Sequence, residues 1–599
     1  MTMREMHFRH TVMGHPAGLF VLFFTEMWER FSYYGMRILL MLFLVAKVSE
    51  GGWEWSRKEA ALLFSWYVML VYITPLIGGW LADNVLGYVR AVIIGSVVMT
   101  LGHLSLALAD LPLEADLRFF FYIGLLLLVI GTGFFKPNMT SIISQMYPQD
   151  SPKKDGAYTI FYMGVNAGAF IGTLLVGWLG ERVNWSYGFG LAGVFMLFGL
   201  LQFYFGRHIF GERANMPAKK YERQQSLSEA ADQARRVPFT PLDKAMAIIG
   251  GVAAVLWVVD GLYYAITRGS YLLPEVLFRL KWDMVGVDWD VGMSTLALTL
   301  SIVLFVLLGL RRIGRYEPIE RDRLIVVFIF ATTVVFFWMS FEQAGTSMTI
   351  FAKDYTNRVL TGGWKLTFQV VDTLLSLAPL VILTWVIYLL FKAIGKVYPL
   401  TIAFTVLSFA IIWVLSIYRL KYEYGSAQSQ VAASWFQILN PFFIITLAPL
   451  FSKLWERVHV PGPLKFSMGL SLLAMGFAAL AFGAREIPAG AQTASVSMIW
   501  LILAYLLHTL GELSLSPVGL SYVSKLTPPR MIAFVFGIWY IFISIANKLA
   551  GVTASYVDDI SQNVGMSGFF LIFTLVPLAV AALIALFSKR IVRMMHGIE

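Results

Sequence analysis

Cysteine is absent from this 599-residue chain, which excludes disulfides, thiolate metal sites and cysteine nucleophiles. Charge is scarce as well: 14% of residues are charged against 58% hydrophobic, a balance that does not fit a soluble globular protein. The eight histidines are scattered without metal-ligand spacing, so no metal centre is expected. No nucleophile–base pair and no phosphate loop is legible, and no sizeable soluble output domain follows the apolar runs, so an enzyme is not expected. The net charge of +10 invites a nucleic-acid reading. That reading fails because the basic residues sit in short loops between apolar runs, where membrane orientation accounts for them.

What the chain has is apolar runs of about 20 residues, the length of a bilayer span, almost end to end. The opening MTMREMHFRHTVMGHPAG is polar and basic, and the run after it is too long and too charged for a cleaved signal core. The first helix is therefore expected to stay in the membrane with a cytoplasmic N-terminus. Spans are expected near 17–46, 58–82, 88–109, 118–147, 156–180 and 187–206. A linker rich in Lys, Arg and Glu follows over 207–243, cytoplasmic by the positive-inside rule. Two segments, 244–266 and 293–311, flank a loop with Trp282, Asp283, Asp288 and Asp290. Further spans fall at 322–351, 368–394, 397–419, 432–454, 464–483, 496–523, 530–553 and 565–589. About sixteen spans put both ends and the most basic loops on one side. The expected fold is an all-α polytopic membrane protein. It has an N-terminal six-helix bundle over 1–206 and a first inserted pair within 244–321. A C-terminal six-helix bundle over 322–599 is interrupted by a second pair near 368–419. Such two-half folds bind cargo near the midplane and rock one half against the other.

The first span carries Glu26, Glu29, Arg30 and Arg37. Each charge at mid-span costs roughly 2.5–3.5 kcal/mol, so the four cost on the order of 10 kcal/mol. At about 100° per residue they share an arc of roughly 140° with Tyr33 and Tyr34, while the opposite face is apolar. Lys136 lies deep in the fourth span, with Pro137 after it and Gly131 and Gly133 before, so a bent or broken helix is expected there. Glu26 and Glu29 lie at comparable depth and are the expected partners of Lys136; a structural ion pair that only fixes helix packing is the bland alternative. Glu342 and Glu512 sit inside apolar runs, Glu512 followed by Ser514, Ser516 and Pro517. A carboxyl group there has its charged form disfavoured, which suits reversible protonation; a neutral hydrogen-bonded packing role is the alternative. Asn166 and Asn440 offer amides within spans, for cargo or for helix–helix bonds. His103 and His508 read as structural. GGWLADNVLGYVRAV, with Asp83 and Arg90, reads as a short hinge or latch, or as a plain turn.

At these residues the chain resembles the proton-dependent oligopeptide transporter family, within the major facilitator superfamily. TEMWERFSYYG matches that family's ExxERFxYYG signature at Glu26, Glu29, Arg30, Phe31, Tyr33, Tyr34 and Gly35. GTGFFKPNMTSIISQMY, FYMGVNAGAFIGTLLVG, FWMSFEQAG, WFQILNPFF, GELSLSPVGLSYVSKL and GIWYIFISIANKLAG follow in the family's order. The resemblance implies a symporter importing di- and tripeptides with protons, multi-pass in the cell (inner) membrane, with both termini cytoplasmic. It implies a proton-coupling cluster of Glu26, Glu29 and Arg30 with Lys136 as its electrostatic partner. It implies an Arg37–Glu342 bridge between halves that opens on protonation. Substrate contacts would come from Arg30, Arg37 and Lys136 toward the peptide carboxylate and from Glu512, Asn166 and Asn440 toward its amino group. Tyr33, Tyr34, Tyr72, Ser516, Trp338 and Trp539 would shape the pocket. No cofactor is expected beyond the coupling proton. The expected partners are peptides, protons and the bilayer, with no nucleic acid; the oligomeric state is open. Two departures stand out: Val165 where the family often has Ile, and the second inserted pair. A relative carrying nitrate or another small anion, or a peptide-sensing receptor, are the rival functions.

Overall fold

The computed structural model describes residues 10–109, 117–147, 153–211, 214, 217, 238–282, 287–426, 428–458, 460–528 and 531–598. Within them lie fifteen helices long and apolar enough to cross a membrane. The heavily charged first helix, α1 (Ala17–Val45), makes sixteen. The others are α2 (Arg57–Leu81), α3 (Tyr88–Leu108), α4 (Phe119–Met146), α5 (Lys153–Arg182), α6 (Trp185–Gly206), α7 (Pro241–Thr267) and α8 (Met293–Ile313). They continue as α9 (Pro318–Phe341), α10 (Gly362–Ile394), α11 (Pro399–Gly425), α12 (Leu439–Arg457), α13 (Gly462–Gly483), α14 (Ile499–Leu526), α15 (Ile532–Ser555) and α16 (Val557–Met594). The expected linker over 207–243 falls mostly, at 212–213, 215–216 and 218–237, outside the described residues, as do residues 1–9 and Asp283.

Local sequence explains where helices begin. Ser56 caps α2 in a reciprocal box with Glu59, and Thr240 does the same for α7 with Asp243, each satisfying orphan N–H groups. Proline opens α7, α9 and α11, where its missing N–H is harmless. Ahead of α1, a two-residue turn at Met13 and Gly14 (φ 49° and 79°) joins a short antiparallel ribbon pairing Val12 with His15.

In the first half α1 packs on α5 and α6. A Cβ on Gly168 of α5 would lie 2.2 Å from the Met27 carbonyl oxygen, and one on Gly172 2.3 Å from that of Phe31. Only glycine permits this approach, a device common where membrane helices meet. Trp28 donates to Gln202 of α6 (3.1 Å), whose amide donates to the Val21 carbonyl (3.1 Å). In the second half α13 packs on α14 and α16, with Phe330 of α9 stacked on Phe466 at 4.3 Å.

The expected span near 322–351 is present within Pro318–Tyr355, with an interruption: α9 ends at Phe341 and a 3-10 turn spans Glu342–Gly345 before a short helical stretch resumes. Three expectations change. α4 is not broken at Pro137 but runs through it; the Gly133 carbonyl, four residues earlier, lies against Gly78 of α2. The segment around Asp83 is a wide helical turn, Ala82–Leu86, continuing α2 to Gly87. The loop between α7 and α8 contains a two-stranded ribbon, Phe278–Trp282 with Val287–Val291.

The two inserted pairs sit differently. α7 and α8 are tied by Asp243, which accepts from Arg311 (3.1 Å) and Arg315 (2.8 Å). Beyond them an apolar fissure of about 440 Å³ separates α8 from α9 and α16. α10 and α11 interrupt the second half in sequence, yet α11 packs on α6. Phe409 meets Phe24 and Trp28 edge-on at 5.7 and 5.3 Å. A buried pair, Arg419 with Asp372 at 2.6 Å, holds the hairpin together.

Candidate functional site

The charged face of α1 is buried against neighbouring helices: Glu29 is fully covered and Glu26, Arg30 and Arg37 are nearly so. Arg30 Nε donates to Glu26 Oε1 at 2.9 Å, one turn earlier, and lies 2.6 Å from Glu29 Oε2. One guanidinium thus neutralises parts of two carboxylates. Further oxygens of both glutamates and one Arg30 nitrogen have no partner. Such under-satisfied buried charge is costly for packing alone and leaves room for a proton or a ligand.

Lys136 does not pair directly with Glu26 or Glu29 as the sequence leads one to expect. Its ammonium stands over the Tyr72 ring of α2, 4.1 Å from the centroid. The reason is local: Arg30 on α1 already engages both carboxylates, while α4 is drawn tightly onto α2 at Gly78 and Gly133. Lys136 therefore meets α2 first. Tyr33 and Tyr34 meet edge-on at 5.1 Å, and Arg30 lies 5.5 Å from the Tyr33 ring.

Arg37 reaches across to the second half and bonds Glu342. Glu342 is held at the turn that ends α9, so the helix break aims its carboxylate at α1. Arg37 also lies over Phe64 at 5.4 Å. Gly345 leaves the space: a Cβ there would meet Arg37 at 3.1 Å and Phe64 at 2.8 Å. Elsewhere in the second half Asn440 donates to Glu512 Oε2 (2.9 Å) and Thr509 Oγ1 (3.1 Å). The Ser516 hydroxyl, one turn beyond Glu512, is buried without a partner. Asn166 does not join this pair; its amide donates to the Tyr162 carbonyl of its own helix at 3.0 Å. Trp338 packs edge-on with Phe341 at 5.1 Å, and Trp539 fills the space above Gly519.

Several polar groups that join the halves went unassigned in the sequence. Arg57 of α2 bonds Asp354 and Asp558, each at 2.7 Å. Glu181 of α5 accepts from the Ala433 and Ser434 backbones at 3.0 and 2.9 Å. Lys548 of α15 donates to Ser65 of α2 at 3.0 Å. All lie toward the end of the bundle remote from both termini. At the other end the described polar pairs, His15 with Tyr147 and His596 with Asp322, stay within one half. The signal for Lys548 was available: a charge inside the apolar run IFISIANKLAG, the criterion that singled out Lys136. Arg57, Asp354 and Asp558 sit at span ends and carry no such signal.

Fold and site together define a polytopic helical transporter of the major facilitator type, with buried charges at the seam of two halves. The chain belongs to the POT family, whose model matches residues 89–429 and 410–570. It is 32% identical over 552 residues to the peptide transporter YePEPT of Yersinia enterocolitica, spanning 91% of this chain and 89% of that protein. It is 26% identical to a di-/tripeptide transporter of Lactococcus lactis over 98% of both. A crystal structure of the peptide transporter POT in complex with sulfate superposes with a TM-score of 0.69 at 27% identity, covering 99% of each chain.

Proposed function

We propose that this protein is a carrier that imports di- and tripeptides together with protons by alternating access. The observation that carries the reading is the Arg37–Glu342 pair joining the halves beside the Glu26–Glu29–Arg30 cluster. A proton on Glu342 removes the anion that holds Arg37, and the seam loosens. Protonation thereby biases an existing equilibrium between two arrangements. A neutral zwitterionic peptide carries no net charge, so the proton couples transport to the membrane potential, worth about 2.3 kcal/mol per 100 mV.

Glu26, Glu29 and Arg30 are the coupling cluster in this scheme, with Lys136 near it. Arg30, Arg37 and Lys136 draw the peptide carboxylate; Glu512, with Asn440 and Asn166, draws its amino group. Tyr33, Tyr34, Tyr72, Ser516, Trp338 and Trp539 bound the side-chain space. Recognising termini and backbone lets one pocket take many side chains. The termini lie on the cytoplasmic face of the cell membrane in this reading, which makes the end linked by Arg57, Glu181 and Lys548 external and the arrangement inward-facing. The names of the relatives, peptide and di-/tripeptide transporters, support the cargo class.

The test is accumulation of labelled dialanine in proteoliposomes under an imposed pH gradient. Glu342→Gln is expected to abolish uphill accumulation while retaining exchange of internal for external peptide; undiminished accumulation refutes the coupling. The rival, a carrier of nitrate or another small anion, draws on Lys136 standing over a ring rather than bonded to a carboxylate. Nitrate uptake unaffected by excess dialanine would favour it.

A further inference from the structure

The fissure beside the first inserted pair is lined by α8 from Val306 to Ile313, by α9 from Ile325 to Phe336 and by α16 from Val580 to Ile584. Its two hydroxyls, on Thr332 and Thr333, are turned back onto their own helix and donate to the Phe328 and Ile329 carbonyls at 2.9 and 2.8 Å. The wall therefore offers hydrocarbon. Along α9 it runs about 16 Å at 1.5 Å per residue, half of a hydrocarbon core about 30 Å thick. Leu310 and Leu583 are exposed along it, so it faces sideways into the bilayer. Gly309 keeps it wide: a Cβ there would meet nothing within 4 Å.

One end of the fissure is basic. Ile313 lies between Arg312 and Arg315 in the chain, and Arg311, Arg312 and Arg315 converge on one carboxylate, Asp243, at 3.1, 3.8 and 2.8 Å. Three guanidinium groups on one anion leave an excess of positive charge, and the Arg311 side chain stays 42% exposed. Arg321 precedes Ile325 by one turn and the exposed Arg590 follows Leu583 by two, so both continue the lining faces toward this end. Asp322 answers Arg321 only at 3.6 Å, and Glu317 and Glu320 lie in the same link. The segment 311–323 still holds five arginines against three acids, and α16 adds Lys589, Arg590 and Arg593. This is the side of the termini, where Arg323 donates to the Met595 carbonyl at 3.3 Å. Membrane orientation accounts for a basic loop, but not for a guanidinium excess at the mouth of a hydrocarbon slot.

We propose that the fissure binds one acyl chain of an anionic phospholipid from the leaflet on the side of the termini, with the lipid phosphate among Arg311, Arg321 and Arg590. The two ends of the site match the two ends of such a molecule. The slot is one leaflet deep and apolar throughout, and its mouth presents guanidinium forks of the kind that pair with phosphate. A neutral lipid leaves the charge excess unanswered, and a free phosphate leaves the slot unfilled. The chain lies where α8 stands off from α9 and α16, so the lipid fastens the first inserted pair to the second half. The inference stands apart from the cargo and from the coupling proton.

The test is native mass spectrometry of the purified full chain, titrated with dioleoyl phosphatidylglycerol or dioleoyl phosphatidylcholine, which share their tails. One phosphatidylglycerol is expected to bind about tenfold more tightly than phosphatidylcholine, the size of one hydrogen bond to a charged group. Gly309→Phe, which fills the slot, is expected to abolish that tight site. Gly251→Phe on α7, where a Cβ also meets nothing within 4 Å, is expected to keep it. Arg311→Gln is expected to bring the two affinities together without lowering that for phosphatidylcholine; if it does not assemble, Arg321→Gln carries the same expectation. Equal affinities in the unaltered protein overturn the role of the arginines. Tight binding that survives Gly309→Phe, or that is lost equally in Gly251→Phe, overturns the placement in the fissure. No transport is measured, so these outcomes are separate from any failure of the uptake experiment.

Discussion

Gly168→Ala is the sharpest probe of how the charge cluster is held. A Cβ at Gly168 would lie 2.2 Å from the Met27 carbonyl oxygen and 2.9 Å from Arg30 Cβ. Carbon–oxygen contacts settle at about 3.3 Å or more, so α5 must retreat from α1 by about 1 Å. The groups pressed are backbone atoms of a buried helix and cannot swing aside. Overpacking of this kind costs about 1–3 kcal/mol. The larger effect falls on function, because the displaced stretch carries Glu26, Glu29 and Arg30, and a misplacement of about 1 Å can cost on the order of 100-fold in rate. The expected result is a small fall in melting temperature of the purified protein with a far larger fall in the initial rate of proton-driven dialanine uptake. Gly251→Ala and Gly309→Ala, where a Cβ meets nothing within 4 Å, are controls expected to change neither. Normal uptake in Gly168→Ala would refute the argument that this contact positions the cluster.

Arg57→Ala removes both partly buried links to Asp354 and Asp558, and is expected to weaken closure of the end remote from the termini by about 1 kcal/mol, seen as a longer distance between spin labels at Val48→Cys and Val564→Cys, both exposed and on opposite halves. Asp372→Asn leaves Arg419 buried beside an uncharged partner and weakens the Trp435 bond at 3.1 Å; breaking such a pair costs up to about 3–5 kcal/mol, so a large drop in melting temperature is expected, against little change for Glu486→Gln at the exposed Arg485 pair. His15, ahead of α1, is held below its ordinary value by burial and then by Lys153. The unfolded chain therefore binds this proton at higher pH than the fold does, and stability falls as pH drops below about 6.5; His15→Gln is expected to flatten the melting curve in that window.

The charges inside apolar runs were legible because their cost is paid one residue at a time and needs no partner to be seen. Glu26, Glu29, Arg30, Arg37, Lys136, Glu342 and Glu512 all came from that single criterion, and the structure buries each carboxylate and arginine among them deeply. What that criterion could not supply was pairing; the Arg37–Glu342 bridge was expected only from the family resemblance. Lys136 went to Tyr72 because Gly78 and Gly133 bring α4 onto α2, a fact about two glycines far apart in the chain. The break at Glu342 was hidden inside an unbroken apolar run. Only the Gly345 that makes room for Arg37 hints at it, and a lone glycine in a span is an ambiguous sign. Arg57 was invisible for the opposite reason: at a span end a charge is cheap, so it raises no flag.

The second inserted pair bears on how the halves can move. α10 and α11 leave the second half after Tyr355 and return to it at Leu439, but their apolar face is committed to the first. Phe409 sits on Phe24 and Trp28, Thr401 against Gly206, and Tyr418 and Tyr422 on Trp178. Parting those aromatic contacts exposes far more surface than bending two links, so the hairpin must travel with the first half. The links themselves are short and paired, Val359–Leu360 with Ser429–Gln430, and Glu181 grips the next turn. Both lie at the end remote from the termini, on the same side as Arg57 and Lys548. If the halves rock as proposed, a strap fixed there limits how far that end can part while leaving the opposite end free to swing. Rocking of that kind is a motion about a tethered rim, and the tether consists of residues outside the buried charge cluster.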